Sequence, residues 1–520
     1  MRSRKTQEIA LANAAVTGGS DLTWRAGWNL AYDTRFMLTS ALLLGFVALW
    51  ACSALFFNNA QWGDNLEQYV WAHGLELGYY KHPPLPTWLL LAAIELFGHS
   101  TASAVLLAAV CTTATGMVTL SIAGRLLGSS RALLAMLCWG LQQAFCVRAS
   151  VFNHNTVLML TVSITVLLVL RALESNHKLI DWAAVGIAAG AALLSKYQAI
   201  VPLAGTVLAL ALNHELRKAE ARRGLGLSIA VATLICAPHM FWVATHSFST
   251  LAYATQAGHT LDAGQRILST VSFLAQQVRL VLPSLLFAAL LLLGCRSRSI
   301  SGALPTGPDR SRRGWMIGLI AFPLGVTTLT APLFGLALQN HWGFQALQFA
   351  SLFFANTLYR RIRCDPRAWI GVGTAVHLAL LALTVSRFPT PPARALHRVD
   401  VEYPARDLAE AVGADWRRAT ACPLRYVVGR SFEAGLVSVY NGGSAVVLED
   451  GDYRKSPWVN GVSLVERGAV YVANDLQALP TIGVSVTGSL DVGAASPPPN
   501  DRVFWAVVPP TRCLVSAGSK

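Results

Sequence analysis

Charged residues are scarce in this sequence. Only 13% of its 520 residues are Asp, Glu, Lys or Arg, against about 25% in average globular proteins. Hydrophobic residues make up 54% and the mean hydropathy is +0.46, with apolar runs that reach the roughly 20 residues needed to cross a bilayer. An ordinary soluble enzyme is excluded, and the composition is that of a polytopic membrane protein.

Several chemical signatures are also missing. No basic stretch carries interleaved aromatic residues, which argues against nucleic acid as a partner. The nine cysteines include no CxxC pair, and no Cys or His spacing is typical of a metal site. The C-terminal part has no Gly-rich phosphate loop. We therefore predict neither a metal ion nor another cofactor.

Apolar spans and basic residues together predict the topology. With the N-terminus inside, the cytoplasmic segments hold 22 Lys and Arg, and the outer loops before the C-terminal tail hold four, as the positive-inside rule requires. The run 85–97 has only 13 residues, so it is predicted to lie at the outer membrane surface. The eleven predicted spans are 36–57, 104–124, 132–147, 155–171, 179–195, 197–213, 224–243, 270–294, 315–334, 343–358 and 368–387.

The chain divides into two predicted domains. Residues 1–387 form a transmembrane domain with a long outer loop at 58–103, and residues 388–520 form a soluble α/β domain on the outer side, where short strands alternate with helices. Cys422 and Cys513 flank most of these strands. In an oxidising compartment we predict that they form a disulfide.

The first outer loop has the densest cluster of polar and aromatic residues in the membrane half. Residues 62–90 read WGDNLEQYVWAHGLELGYYKHPPLPTWLL. One interpretation is a connecting loop without chemistry. The other is a reaction site. Unpaired charges at a membrane face are costly, so charged residues are kept there mainly where they have a function.

These segments resemble the GT-C glycosyltransferases of the protein O-mannosyltransferase superfamily. The bacterial branch with the lipid A aminoarabinose transferase and the rhizobial galacturonosyl transferases is the most similar. The resemblance rests on Asp64-Asn65-Leu66-Glu67-Gln68, GYYKHPPLPTWL (78–89), LLSKYQA (193–199), and EYPA and YVVGRSFEAGLVSVY in the tail.

The resemblance implies a GT-C fold and an inverting transfer of a sugar from a polyprenyl-phosphate donor on the outer face. It places the catalytic base at Asp64. Many relatives have an acidic residue next, where this chain has Asn65, so Glu67 is the nearest substitute. Alternatively, Asp64 only caps a helix that begins near Leu66.

The leaving lipid phosphate would need cations at the outer membrane edge, and few are available there. The alternative for Lys196 and Arg279 is snorkelling, in which the aliphatic part of the side chain stays in the membrane and the charged end reaches the water at its surface. The predicted phosphate ligands are Lys81, His82, Arg148, Lys196 and Arg279. The predicted substrate pocket consists of Tyr79, Tyr80, Asn153, His154, Tyr197 and His341.

The expected function is therefore glycosyl transfer in a bacterial inner membrane, with the site facing the periplasm. The acceptor would be lipid A, another glycolipid, a polysaccharide or a protein, and the bilayer itself is a partner. The alternative is a polytopic transporter or lipid flippase. Transporters commonly contain repeated halves, and no internal repeat is visible in this sequence.

Overall fold

The protein is described here from a computed structural model that covers residues 34–256, 261–297, 308–385, 403–492 and 502–513. Its first part is almost entirely helical. In chain order the helices are α1 (Thr34–Phe57), α2 (Gly63–Trp71), α3 (Leu85–Phe97), α4 (Thr101–Leu127), α5 (Ser129–Gly140), α6 (His154–Glu174), α7 (Leu179–Ser195), α8 (Ile200–Leu212), α9 (Ala219–Thr245), α10 (Ser249–Gln256), α11 (Ala263–Gly294), α12 (Pro308–Met316), α13 (Phe322–Phe334), α14 (Phe344–Arg361) and α15 (Pro366–Val385).

Seven helices in the described ranges are long and apolar enough to cross a membrane. Shorter apolar helices lie at Leu85–Phe97, Leu179–Ser195 and Tyr197–Leu212. The first of these is the 13-residue run that the charge pattern predicts at the membrane surface. The seven long segments are Met37–Phe57, α4, α6, α9, α11, Ser311–Phe334 and α15.

The predicted span 132–147 is wrong as a continuous helix. Helix α5 has 12 residues and ends at Gly140, which at 1.5 Å per residue covers only about 18 Å of a hydrocarbon core of about 30 Å. Beyond it the chain continues in turns, where the Gln143 amide donates to the Leu280 carbonyl at 2.9 Å. The apolar residues of this segment pack inside the bundle, so hydropathy alone overestimated the span.

Helix α14 lies deep inside the helical part. Its Gln345, Gln348 and Ser351 are at most 2% exposed, and the Ser163 hydroxyl of α6 donates to Gln348 Oε1 at 3.3 Å. Polar side chains on a helix inside a membrane protein are stabilised by contacts with neighbouring helices. At the far end of α14, strand β2 (Ile362–Arg363) pairs antiparallel with β1 (Arg296–Ser297). Cys295 and Cys364 lie close enough here to form a disulfide, with their Cα atoms 5.5 Å apart.

The C-terminal part is a five-stranded mixed sheet with helices. It contains α16 (Ala405–Ala419), β3 (Tyr426–Gly429), α17 (Ser431–Tyr440), β4 (Val446–Glu449), α18 (Gly461–Arg467), β5 (Ala469–Ala473), β6 (Val486–Asp491) and β7 (Arg502–Val508). The order is β4-β3-β5-β7-β6, with β3 parallel to β4 and β5, and β7 antiparallel to both neighbours. Parallel β3 and β4 need the crossover that α17 provides.

The first outer loop and the C-terminal part share one hydrophobic core. Leu66, Tyr69 and Trp71 of α2 belong to the same buried cluster as Leu436 and Val437 of α17. The backbones approach closely, because a Cβ at Gly435 would lie 3.2 Å from the Leu66 Cβ. The packing therefore holds the C-terminal part directly against the loop that carries Asp64.

Candidate functional site

Asp64 lies in the first turn of α2, which begins at Gly63 with Trp62 as its N-cap. Its carboxylate is therefore not the N-cap that the alternative interpretation assumed. Asn153 Nδ2 donates to Asp64 Oδ2 at 2.6 Å, and Arg148 Nη2 lies 3.8 Å from the same oxygen. The side chain is 48% exposed. Asp64 is thus oriented by two neighbours and still accessible to a substrate.

Asn153 and Arg148 are themselves held in place. Asn153 is the N-cap of α6, and its Oδ1 accepts hydrogen bonds from the backbone amides of Asn155 and Thr156, which leaves its amide nitrogen to bind Asp64. The Arg148 guanidinium lies over the Trp62 ring at 5.2 Å and the Phe344 ring at 5.8 Å. Planar guanidinium groups stack well on aromatic rings.

Asn65, where relatives carry an acidic residue, is fully buried. Its Nδ2 donates to Gln61 Oε1 at 2.7 Å and to the Ser150 carbonyl at 3.3 Å, and its Oδ1 accepts from the Phe152 amide. A carboxylate cannot make the two donated bonds. Asn65 therefore connects α2 to the segment before α6 and does not face the site.

Glu67 and Lys81 form an ion pair, and both are largely buried. Glu449 of the C-terminal part lies 4.0 Å from Lys81 Nζ and accepts a hydrogen bond from the Tyr80 hydroxyl at 2.8 Å. Burial raises the pKa of Glu67 to about 7, against the opposing attraction of Lys81. Glu67 therefore lies one turn from Asp64 but is engaged by a lysine.

Lys196 lies in the break between α7 and α8 and is buried. Its Nζ donates to Asn155 Oδ1 at 2.9 Å, at the start of α6. Burial lowers the pKa of Lys196 to about 7, although the charge of Asp64 raises it. The snorkelling alternative is therefore wrong for Lys196, because its ammonium group lies inside the protein.

Three histidines meet beside Lys196. The rings of His82 and His154 are 3.9 Å apart, and His341 lies 6.2 Å from His154. Burial lowers the pKa of His82 and of His341 well below the usual value, and the positive charge of Lys196 lowers both further. These rings are neutral near pH 7, and an incoming anion would favour their protonation.

Some predicted residues are not brought into this cluster. Tyr79 is buried and donates to the Gly74 carbonyl, so it stabilises the loop. The Tyr197 hydroxyl bonds to His239 and Thr250. Arg279 is exposed on α11, on the side away from the buried residues of that helix. The structure therefore does not bring it into this cluster, and its position is compatible with the snorkelling alternative.

Glu449 and Tyr253 lie at the site but were not predicted from the sequence. Glu449 ends strand β4 and comes to Lys81 across 368 positions of the chain. Tyr253 of α10 lies 5.5 Å from Lys81 Nζ, and its ring is 6.1 Å from His82. No motif marks either residue, and their positions follow only from the packing of the C-terminal part and α10.

Comparison with known proteins supports both the observed fold and the family resemblance predicted from the sequence. Residues 81–242 match the family model described as dolichyl-phosphate-mannose-protein mannosyltransferase. The structure of ArnT from Cupriavidus metallidurans bound to undecaprenyl phosphate superposes with a TM-score of 0.57 at 16% identity, over 91% of this chain and 97% of that chain. The apo state of the same protein gives a TM-score of 0.50 at 18% identity, with the same coverage. The chain thus has the GT-C fold, and the resemblance to GT-C glycosyltransferases is confirmed.

Two curated relatives come from Rhizobium johnstonii (strain DSM 114642 / LMG 32736 / 3841). The lipid A galacturonosyltransferase RgtD is 26% identical over 251 residues, which is 48% of this chain and 52% of the relative. The lipopolysaccharide core galacturonosyltransferase RgtB is 29% identical over 185 residues, which is 35% of this chain and 37% of the relative. The matched regions therefore span about half of the first relative and about a third of the second.

Proposed function

We propose that the protein is an inverting glycosyltransferase that moves a sugar from a polyprenyl-phosphate donor to an acceptor at the outer membrane face. Residues 1–387 would form the transmembrane catalytic domain and residues 388–520 the periplasmic domain. The proposed location is the inner membrane of a bacterium, with Asp64 on the periplasmic side.

The observation that carries this proposal is the placement of Asp64 beside a buried pocket that holds Lys196. Asp64 is oriented by Asn153 and Arg148, and its charge acts on Lys196. Lys196 in turn lies among His82, His154 and His341. A glycosyl transfer needs a base on one side of the sugar and a stabilised leaving group on the other, and this arrangement contains groups suited to each.

The chemistry then follows from the residues. Asp64 accepts the proton of the acceptor hydroxyl or amine while the acceptor oxygen or nitrogen bonds to the anomeric carbon. The bond from that carbon to the phosphate oxygen breaks, and the lipid phosphate leaves with the electron pair. Lys196 and Arg148 stabilise the negative charge in a poorly hydrated pocket, where such interactions are strong. Because the acceptor attacks from the side opposite the leaving group, the configuration at the anomeric carbon is inverted.

The names of the relatives support a narrower proposal for the substrates. RgtD is named for lipid A and RgtB for the lipopolysaccharide core, and both transfer galacturonosyl groups by name. The compared ArnT structure has undecaprenyl phosphate bound. We therefore propose a glycolipid acceptor and a hexuronosyl or pentosyl donor on a polyprenyl phosphate.

The variant Asp64→Asn tests the base assignment. Asparagine keeps the size of the side chain and cannot take the proton, so transfer should fall about a hundredfold or more. The measurement uses purified protein with undecaprenyl-phosphate galacturonic acid, lipid A and mass spectrometry of the product. Binding of undecaprenyl phosphate at pH 6.5 should be retained, because its proposed ligands are present and Lys196 is charged below its pKa of about 7.

Asp262→Asn is the matched control. Asp262 is an exposed N-cap of α11, a position that asparagine fills equally well, so this variant should transfer like the unmodified protein. Full activity of Asp64→Asn would remove Asp64 as the base. Failure of the unmodified protein to transfer any uronosyl or aminopentosyl group, together with movement of the lipid across vesicles, would favour the transporter alternative.

A further inference from the structure

The C-terminal part places one carboxylate at the proposed donor site. Glu449 is 2% exposed, and its Oε2 accepts a hydrogen bond from Trp71 Nε1 at 3.2 Å, while its Oε1 accepts from the Tyr80 hydroxyl. The backbone amide of Glu449 donates a hydrogen bond to the Ser456 hydroxyl at 2.9 Å. The carboxylate therefore has a fixed position, determined by residues from both parts of the chain.

Lys81 lies between this carboxylate and a second one. It forms an ion pair with Glu67 and is 4.0 Å from Glu449. The Tyr80 and Tyr253 rings flank its ammonium group at 5.0 and 5.5 Å. Two carboxylates thus share one lysine in a nearly buried site, so the cluster has an excess of negative charge.

Resting on the function proposed above, we propose that Glu449 is a positioning residue that holds Tyr80 and Lys81 for the donor phosphate, and that Glu67 takes up a proton when the phosphate binds. A phosphate bound between Lys196 and Lys81 would bring a third anionic group next to Lys81, which already has Glu67 and Glu449 beside it. The nearby Lys455 is itself paired with Asp450. In a buried site such a surplus is costly, and the usual response is protonation of a carboxylate.

Glu67 is the carboxylate placed to accept this proton. Its charged form is disfavoured by burial and by the charges of Glu449 and Asp64, so its pKa is about 7 before the donor binds. A bound phosphate would raise this pKa further. The complex then holds more protons than the free protein above pH 7, and linkage requires donor affinity to fall as pH rises.

Replacing Glu449 by Gln separates positioning from simple packing. Glutamine keeps the size of the side chain and one acceptor oxygen, and its amide nitrogen cannot accept the second hydrogen bond. It also removes one negative charge from beside Lys81. The pKa of Glu67 should then fall, and phosphate binding should need less proton uptake. The variant Glu67→Gln mimics the protonated form of Glu67 at every pH. It should therefore reduce the pH dependence of phosphate binding in the same way.

The measured quantity is the ratio of the Kd for undecaprenyl phosphate at pH 8.5 to that at pH 6.5. The second ionisation of the lipid phosphate, near pH 6, and the titration of Lys196 contribute to this ratio in every variant, so comparison between variants isolates Glu67. We expect Glu449→Gln and Glu67→Gln each to reduce the ratio at least about threefold. The control is Glu466→Gln, which removes an exposed carboxylate paired with Arg512 in the same part of the chain and should leave the ratio unchanged.

The outcomes are distinct. An unchanged ratio in Glu449→Gln, with a normal melting temperature, would overturn the positioning role and leave the glycosyltransferase proposal intact. If Glu449→Gln fails to fold, an unchanged ratio in Glu67→Gln would overturn the proton uptake in the same way. Absence of undecaprenyl phosphate binding in the unmodified protein would instead contradict the proposed function itself.

Discussion

Lys81 and Lys196 show how contacts give two lysines of one site different properties. Lys81 has two carboxylates within 4.0 Å, and these raise its pKa despite burial. Lys196 has a neutral amide oxygen as its hydrogen-bond acceptor, and burial lowers its pKa to about 7. Among the described residues Lys196 forms no ion pair, although the more distant Asp64 raises its pKa. A bound phosphate would therefore improve the environment of Lys196 more than that of Lys81.

We predict that Lys196→Met weakens binding of undecaprenyl phosphate at least about tenfold at pH 6.5. Methionine has a similar volume and no charge. A folded pKa of about 7 means that Lys196 is charged below this pH and loses its proton above it, so the loss caused by the variant should shrink by pH 8.5. Titration of the purified variants with the lipid at both pH values measures this.

Lys178→Met is the matched control, because Lys178 is exposed at the opposite end of α7. Its affinity for the lipid should equal that of the unmodified protein. Equal affinity for Lys196→Met at pH 6.5 would exclude Lys196 from the phosphate site.

At the scale of elements, two pairs of neighbouring cysteines lie on opposite sides of the predicted membrane, one pair on each side. Cys295 and Cys364 lie side by side just after α11 and α14, next to the β1–β2 ribbon, with a Cα separation of 5.5 Å. Cys422 and Cys513 join the start and end of the sheet region, with a Cα separation of 5.8 Å. The predicted topology assigns the first pair to the cytoplasm and the second to the periplasm.

We predict that the two pairs differ in redox state in cells. Disulfides are rare in the cytoplasm and persist in oxidising compartments, so Cys422 and Cys513 should be linked, and Cys295 and Cys364 should be alkylated as free thiols. Closure of a loop with a sequence separation of 91 is worth about 4.6 kcal/mol in the chain-entropy model. Reduction should therefore lower the stability of the sheet region.

Peptide mapping under non-reducing conditions, after rapid alkylation of intact cells, measures both pairs in one sample. Cys138 and Cys146, buried and unpaired, report whether the alkylating reagent reached the interior. The reverse pattern, with Cys295 and Cys364 linked and the other pair free, would contradict the predicted orientation.

At the scale of the whole molecule, the outer loop, the C-terminal part and the ends of several membrane helices form one unit. The cluster that contains Leu66 and Trp71 also contains residues of α4, α6 and the central sheet. Asp64, Lys81 and Lys196 are brought together where these elements meet. The proposed site therefore requires the C-terminal part to lie on the same membrane side as the first outer loop.

Reporter fusions test this requirement. Fusions after Phe97 and after residue 392, which lies outside the described residues, should both report the periplasm, and a fusion after Lys178 should report the cytoplasm. The physical reason is the asymmetry of 22 against four basic residues between the two sides. A cytoplasmic signal after Phe97 would mean that Leu85–Phe97 crosses the membrane.

The amino-acid sequence by itself determined the class of protein, because span length, charge asymmetry and strand patterns are local properties. It also identified most residues of the candidate site: Asp64, Glu67, Lys81, His82 and Lys196 occur in short motifs with recognisable chemistry. The sheet strands β3, β4, β5 and β7 follow the alternating patterns of the tail, whereas β6, with its glycine and polar residues, has no comparable signal.

Only the tertiary structure decided which of these residues share a site and which lie elsewhere. Arg279 is exposed because of its face on α11, and the predicted span 132–147 ends early because its apolar residues pack inside the bundle. Glu449 reaches Lys81 because α17 packs on α2. Such contacts depend on how elements far apart in the sequence pack together, and local sequence patterns do not contain that information.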